Sequence, residues 1–161
     1  MPQRHSATGH QTIAPPDDAM AMLHAAHGQV LQLFRHYDAT PDPALQQRIT
    51  EDVFAALALL RQLEETVFYP AVVEAAGEDG DRLVGGARQE HQLFKDLIAE
   101  LRDLDDDDVF PAYFHALRDY VAQHVAEEER EMFPLAAASL VGQMAHLTDA
   151  MHALTHQLGA A

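Results

Sequence analysis

Two stretches of this chain repeat one another sixty-four residues apart. Leu60-Arg-Gln-Leu-Glu64-Glu65 leads to Tyr69-Pro70, and His124-Val-Ala-Glu-Glu128-Glu129 leads to Phe133-Pro134. At the same offset upstream, His27 pairs with His91, each thirty-seven residues before its glutamate. Each half therefore supplies one histidine helix and one glutamate helix. The pairing predicts an all-α fold: an up-down-up-down four-helix bundle with pseudo-twofold symmetry and an additional C-terminal helix. The repeat fails at one informative place, where Leu60 stands opposite His124.

Apolar residues recurring at i, i+3 and i+4 set the element boundaries. Residues 1–16 are polar, aperiodic and proline-containing, and read as a flexible leader. The bundle is expected over 17–138 and an amphipathic helix over 139–161. Asp17 and Asp18 suit the N-cap of a first helix near 18–38, with Met20, Leu23, His27, Val30, Leu31 and Phe34 inside. A second helix should run from the turn at Thr40–Pro43 to Ala76, kinked at Pro70 and stopped by Gly77. Glu78–Asp81 is expected as a loop before a third helix near 81–104, in which Gly85-Gly86 suggests a close helix approach. A fourth helix near 109–138 carries Phe110, Leu117, Val121, Val125, Met132 and Leu135 on its apolar side. Leu140, Val141, Met144, Leu147, Met151, Leu154 and Leu158 form the last stripe, able to cover an open bundle end.

Five metal-capable side chains interrupt these stripes: His27, Glu64, His91, His124 and Glu128. His124 and Glu128 are four residues apart and so share a face. Imidazoles and carboxylates in apolar surroundings are costly unless compensated, and a bound cation compensates both. A set of buried residues hydrogen-bonded to one another is the bland alternative. It explains one such residue better than five placed by a repeat. The absence of cysteine excludes thiolate metal sites, iron–sulfur clusters, disulfides and cysteine nucleophiles. A formal net charge of −16 argues against nucleic acid and anionic membranes as partners. No apolar run approaches the roughly 18 residues of a spanning helix and no secretion signal is evident, so a cytoplasmic location is the default.

At these residues the chain resembles the hemerythrin-like family of HHE cation-binding domains. That pattern has a first-helix histidine, His-x-x-x-Glu-Glu with Phe-Tyr-Pro, Glu-His, and His-x-x-x-Glu-Glu with Phe-Pro. Here it appears as His27, Leu60-x-x-x-Glu64-Glu65 with Phe68-Tyr69-Pro70, Glu90-His91, and His124-x-x-x-Glu128-Glu129 with Phe133-Pro134. The resemblance implies a non-haem di-iron centre. In it Glu64 and Glu128 bridge, His91 and His124 complete one iron, and His27 caps the other. It further implies a protein that binds or senses O2 or a related small ligand such as NO or peroxide. A redox enzyme consuming peroxide or NO at the same metals is the competing reading, and a structural bundle with a decayed site is the third.

The departure at Leu60 bears on all three, because leucine cannot ligate. The site then holds two irons with one under-coordinated, or a single ion, or a substitute ligand. His24, one turn before His27, and Tyr120, one turn before His124, are the candidates for the last case. Glu65 and Glu129 are placed on solvated faces, with hydrogen bonding to a ligand histidine as their other use. His152 and His156 lie beside their apolar stripe and read as surface residues. The acidic Asp103–Asp108 segment reads as solvated charge with an N-cap. The oligomeric state is not legible from the sequence.

Overall fold

The computed structural model describes residues 18–159. The expected leader, with His5 and His10, lies outside the described residues. Those described form helices and no strand, arranged as the expected four-helix bundle with a further helix. Helix α1 (Ala19–Ala39) starts where the Asp18 carboxylate accepts the Ala21 N–H at 2.8 Å. Helix α2 (Pro43–Leu63) is capped in the same way by Asp42 on the Ala44 N–H, with Pro43 where a missing N–H costs nothing. α3 (Tyr69–Asp103) follows, then α4 (Phe110–Glu127) and α5 (Phe133–Ser139). A 3₁₀ turn at Val141–Gln143 leads into α6 (Met144–Gly159).

Two π turns interrupt the helices, at Glu64–Phe68 and Glu128–Met132. Both open at a repeated glutamate and close just before a repeated proline. Proline lacks an N–H and its ring collides with the carbonyl four residues back. Here the Tyr69 N–H reaches the Glu64 carbonyl and the Phe133 N–H the Glu128 carbonyl, five residues back, so the widened turn takes up that conflict. A π turn thus stands where a proline kink was expected. The extra residue also shifts the buried register. Phe68 and Val72 are sealed from solvent where Val67 was expected, and Ala136 is sealed while Leu135 is half-buried.

The expected loop at Glu78–Asp81 is helical. Gly77 alone leaves helical geometry (φ 59°, ψ −135°), a conformation essentially reserved for glycine, and the chain bends there in one residue. Glu78, Asp79 and Asp81 then fill the first turn of the following helical segment, where negative charge is favoured. The close approach lies at Gly80, not at Gly85-Gly86. A Cβ on Gly80 would come within 2.6 Å of the Val72 carbonyl oxygen, whereas one on Gly85 or Gly86 would meet nothing within 4 Å.

Phe34, Tyr37 and Phe114 pack together between α1 and α4, with ring centroids 5.1 and 4.4 Å from Phe114. α6 packs on α1, α2 and the first π turn through Leu147 and Met151. Its Thr148 hydroxyl accepts the Ala19 N–H at 2.9 Å and so satisfies a free donor at the start of α1. Val141 and Leu158, assigned to its stripe, are exposed. No described helix is long and apolar enough to cross a membrane.

Substitution separates the two kinds of glycine. Gly80→Ala drives a methyl into a backbone oxygen that cannot yield and is expected to lower unfolding free energy by about 1–3 kcal/mol. Gly85→Ala should raise it by up to about 1 kcal/mol through helix propensity. Urea denaturation of both variants reads the two signs.

Candidate metal centre

The helices bring all five sequence-selected residues to one place. His27 comes from α1, Glu64 from the first π turn, His91 from α3, His124 from α4 and Glu128 from the second π turn. Their exposures are 1, 0, 4, 2 and 4 %. Among the described residues only Thr50 joins them as a buried polar group. Such residues need partners, and the arrangement of those partners is ordered.

Each glutamate turns one oxygen to each side. Glu64 Oε1 lies 3.0 Å from His27 Nε2, while its Oε2 lies 2.9 Å from His91 Nε2 and 3.6 Å from His124 Nε2. Glu128 Oε1 lies 3.6 Å from His27 Nε2, and its Oε2 lies 3.2 Å from His124 Nε2. Two groups of possible metal ligands result, Glu64–His91–His124 and His27–Glu64–Glu128. They share a carboxylate, as in bundles whose glutamates bridge two ions.

His124 Nε2 and Glu128 Oε1 are buried and accept or donate no hydrogen bond. Both stand within 3.6 Å of opposite charge, yet neither is aimed at it. Ligand atoms gathered within 4.8 Å of one another in each group suit a cation, and an all-oxygen-and-nitrogen donor set suits iron or a comparable divalent metal. The outer nitrogens are held as metal-binding imidazoles commonly are. Glu129 Oε1 contacts His27 Nδ1 at 3.1 Å, and Glu90 Oε2 contacts His124 Nδ1 at 3.1 Å. Glu65 stops 3.6 Å short of His91 Nδ1, which has no hydrogen bond.

Sequence periodicity missed Tyr69. Its hydroxyl is 2.5 Å from Glu64 Oε2, 2.7 Å from Glu128 Oε2 and 3.2 Å from His91 Nε2, fully buried. In an α-helix a residue five positions on lies about 140° away from the first. The π turn brings Tyr69 back over Glu64. Prolines at equivalent places in both halves were the available signal. The ring packs on His91 (5.4 Å), and its repeat partner Phe133 stacks on His27 (5.6 Å). Each aromatic thus covers the histidine of the opposite half.

Neither substitute proposed for the Leu60 position is in the centre. The His24 side chain is exposed and bound to Glu129 Oε1 at 2.6 Å. Tyr120 is 47 % exposed, since its helix turns it to solvent. Leu60 itself is buried.

Two openings reach the site. One, about 200 Å³, is lined by Glu90, Glu127 and Glu131 beside His124 and Glu128. The other, about 320 Å³, runs past Leu60 to His91 and His124.

Burial depresses the histidines' affinity for protons, but the carboxylates outweigh it. His27, beside Glu128 and Glu64, is pushed up to about 10, and His124, beside Glu128, Glu64 and Glu90, up to about 12. Against its own burial, Glu64 is held well below the usual carboxylate range by His124, His27 and His91. Burial and the two carboxylates hold the proton on Tyr69. Metal entry must therefore displace protons from the imidazoles.

The hemerythrin HHE cation-binding domain model matches residues 18–136. No curated protein and no solved structure matches the chain.

A stability signature follows for the chelator-treated protein. A histidine whose folded pKa is raised contributes fully below its ordinary value of 6.5 and loses that contribution as pH rises toward about 10. The stability difference between the native chain and His27→Gln should be largest below pH 6.5 and shrink steadily above it. At the acid end, Glu64 contributes above its ordinary value of 4.5 and less as pH falls through that value and beyond. Urea midpoints across pH check both limbs.

Proposed function

Because the chain belongs to the hemerythrin HHE cation-binding domain family, we propose that it holds non-haem iron within its bundle and binds or senses O2 or a related small ligand, NO or peroxide. The observation that carries this reading is the division of the Glu64 and Glu128 oxygens between two sets of histidines. A decayed structural bundle has no reason to keep buried His124 Nε2 and Glu128 Oε1 without partners.

The two positions are unequal. One is furnished by His91, His124, an oxygen from each glutamate and the Tyr69 hydroxyl. The other has His27 and the remaining carboxylate oxygens. By the repeat, Leu60 and Phe133 occupy the places equivalent to His124 and Tyr69. An ion there would be held by His27, Glu64 and Glu128, with fewer protein donors than at the first position. Iron supplies Lewis acidity and electron exchange there. The protein supplies orientation, through Glu129 on His27 and Glu90 on His124, and a dry enclosure.

One observation favours the enzymatic alternative, a redox catalyst consuming peroxide or NO. Tyr69 keeps a proton in contact with both glutamates, a donor placed where a reduced oxygen species would need one. In domain terms, the bundle carries the centre and the C-terminal helix α6 covers its end near Ala19. A cytoplasmic setting fits a chain without cysteine.

Protein purified without chelator should carry iron, and iron-free protein that also fails to take up ferrous ion would end this reading. Anaerobic ferrous titration against a competing chelator is expected to show one tight and one weaker ion per chain. Leu60→His should tighten the weaker one by at least the roughly tenfold that supporting residues command. Exposing the reduced protein to O2 divides the two readings. A stable, reversible visible band marks a carrier or sensor, and sustained peroxide turnover marks an enzyme. Tyr69→Phe should bleach any part of the band that arises from phenolate.

A further inference from the structure

We propose that the cavity beside Leu60 is a binding site for an aliphatic carboxylate, its chain lying against the bundle core and its head group at the surface. Leu57, Leu60, Phe94, Ile98 and Val121 form the walls, and His91 with His124 the floor. The volume of about 320 Å³ equals roughly ten waters' share of liquid, far beyond what a diatomic occupies. A cavity this size with apolar walls and a few polar groups fits a small organic molecule.

The rim decides the charge of that molecule. Arg61, Lys95 and Arg102 line it, three of the ten Lys and Arg residues in a chain of net charge −16. Arg61 is steadied by Glu65 at 3.2 Å. Arg102 is steadied by Glu51 at 3.3 Å and lies over the Phe54 ring at 4.8 Å. Lys95 has no carboxylate partner among the described residues. The other opening sets Glu90, Glu127 and Glu131 against a single arginine, Arg82, and is the more acidic of the two. With Arg61 and Arg102 paired, Lys95 is the cation left to meet a carboxylate, and beside these apolar walls it suits an amphipathic anion. Leu60 completes the wall at the place where the second half carries a histidine, so the change that removes a ligand also makes the pocket apolar. This inference does not depend on iron being present.

The test is calorimetric titration of the full chain as purified, using hexanoate, octanoate, decanoate and neutral decanol. Saturable 1:1 binding is expected, strengthening about fourfold per added CH₂ until the cavity is filled. Decanol should bind several-fold more weakly than decanoate. Lys95→Glu, an exposed substitution, should weaken decanoate about fivefold or more and leave decanol unchanged. Ala99→Phe at the mouth should weaken both, and Glu131→Lys at the other opening should change neither by much. Absence of saturable decanoate binding, equal affinity for decanol, or indifference to both Lys95→Glu and Ala99→Phe would overturn the proposal. Iron content measured on the same sample keeps this outcome separate from that of the metal reading.

Discussion

Glu64 and Glu128 share the hydroxyl of Tyr69, which brings two carboxylates into one sealed space. Like charges that close in a low-dielectric interior repel strongly and lose their hydration as well. Neither cost is met by the apolar core, however well it packs. Compensation comes from His27, His91 and His124, each delivered by a different helix. Without metal, His27 and His124 hold their protons beside these carboxylates. With metal, cationic charge takes over from those protons. The four-helix register already gathers the candidate donors within 4.8 Å of one another in each group.

Much of this was legible because burial and chemistry obey the same 3.6-residue rhythm. Polar residues standing alone in apolar stripes identified His27, Glu64, His91, His124 and Glu128 as neighbours. The repeat assigned them to four antiparallel helices. Several of the failures share one physical source. A periodicity of 100° per residue holds only while the helix stays α, and at Glu64–Phe68 and Glu128–Met132 it does not. Beyond each π turn the buried position moves by one, which is why Ala136 replaces Leu135 and Tyr69 enters the centre. Tyr120 fails for a different reason. Sharing one side of a helix with His124 does not bring a residue into the interior, and neighbouring helices decide how wide the buried stripe is. Gly77 was read correctly as a stop, but one glycine turned the chain where four residues were expected.

The departures from twofold symmetry are more telling than the symmetry. Leu60 against His124 and Tyr69 against Phe133 both remove polarity from the position capped by His27. They concentrate it at the position capped by His91. A decayed site would lose donors without pattern. Here the losses fall on one position while the supporting Glu129–His27 contact is retained at 3.1 Å. His27 is thus still held in orientation by a carboxylate, as metal-binding imidazoles commonly are.

The two openings carry that asymmetry to the surface. His124 lines both, so whatever enters by either reaches the same imidazole. The acidic opening lowers the energy of an approaching cation and raises that of an anion, and the cation-rimmed one does the reverse. Leu60 lines the cation-rimmed opening at the place where, by the repeat, the other half carries His124.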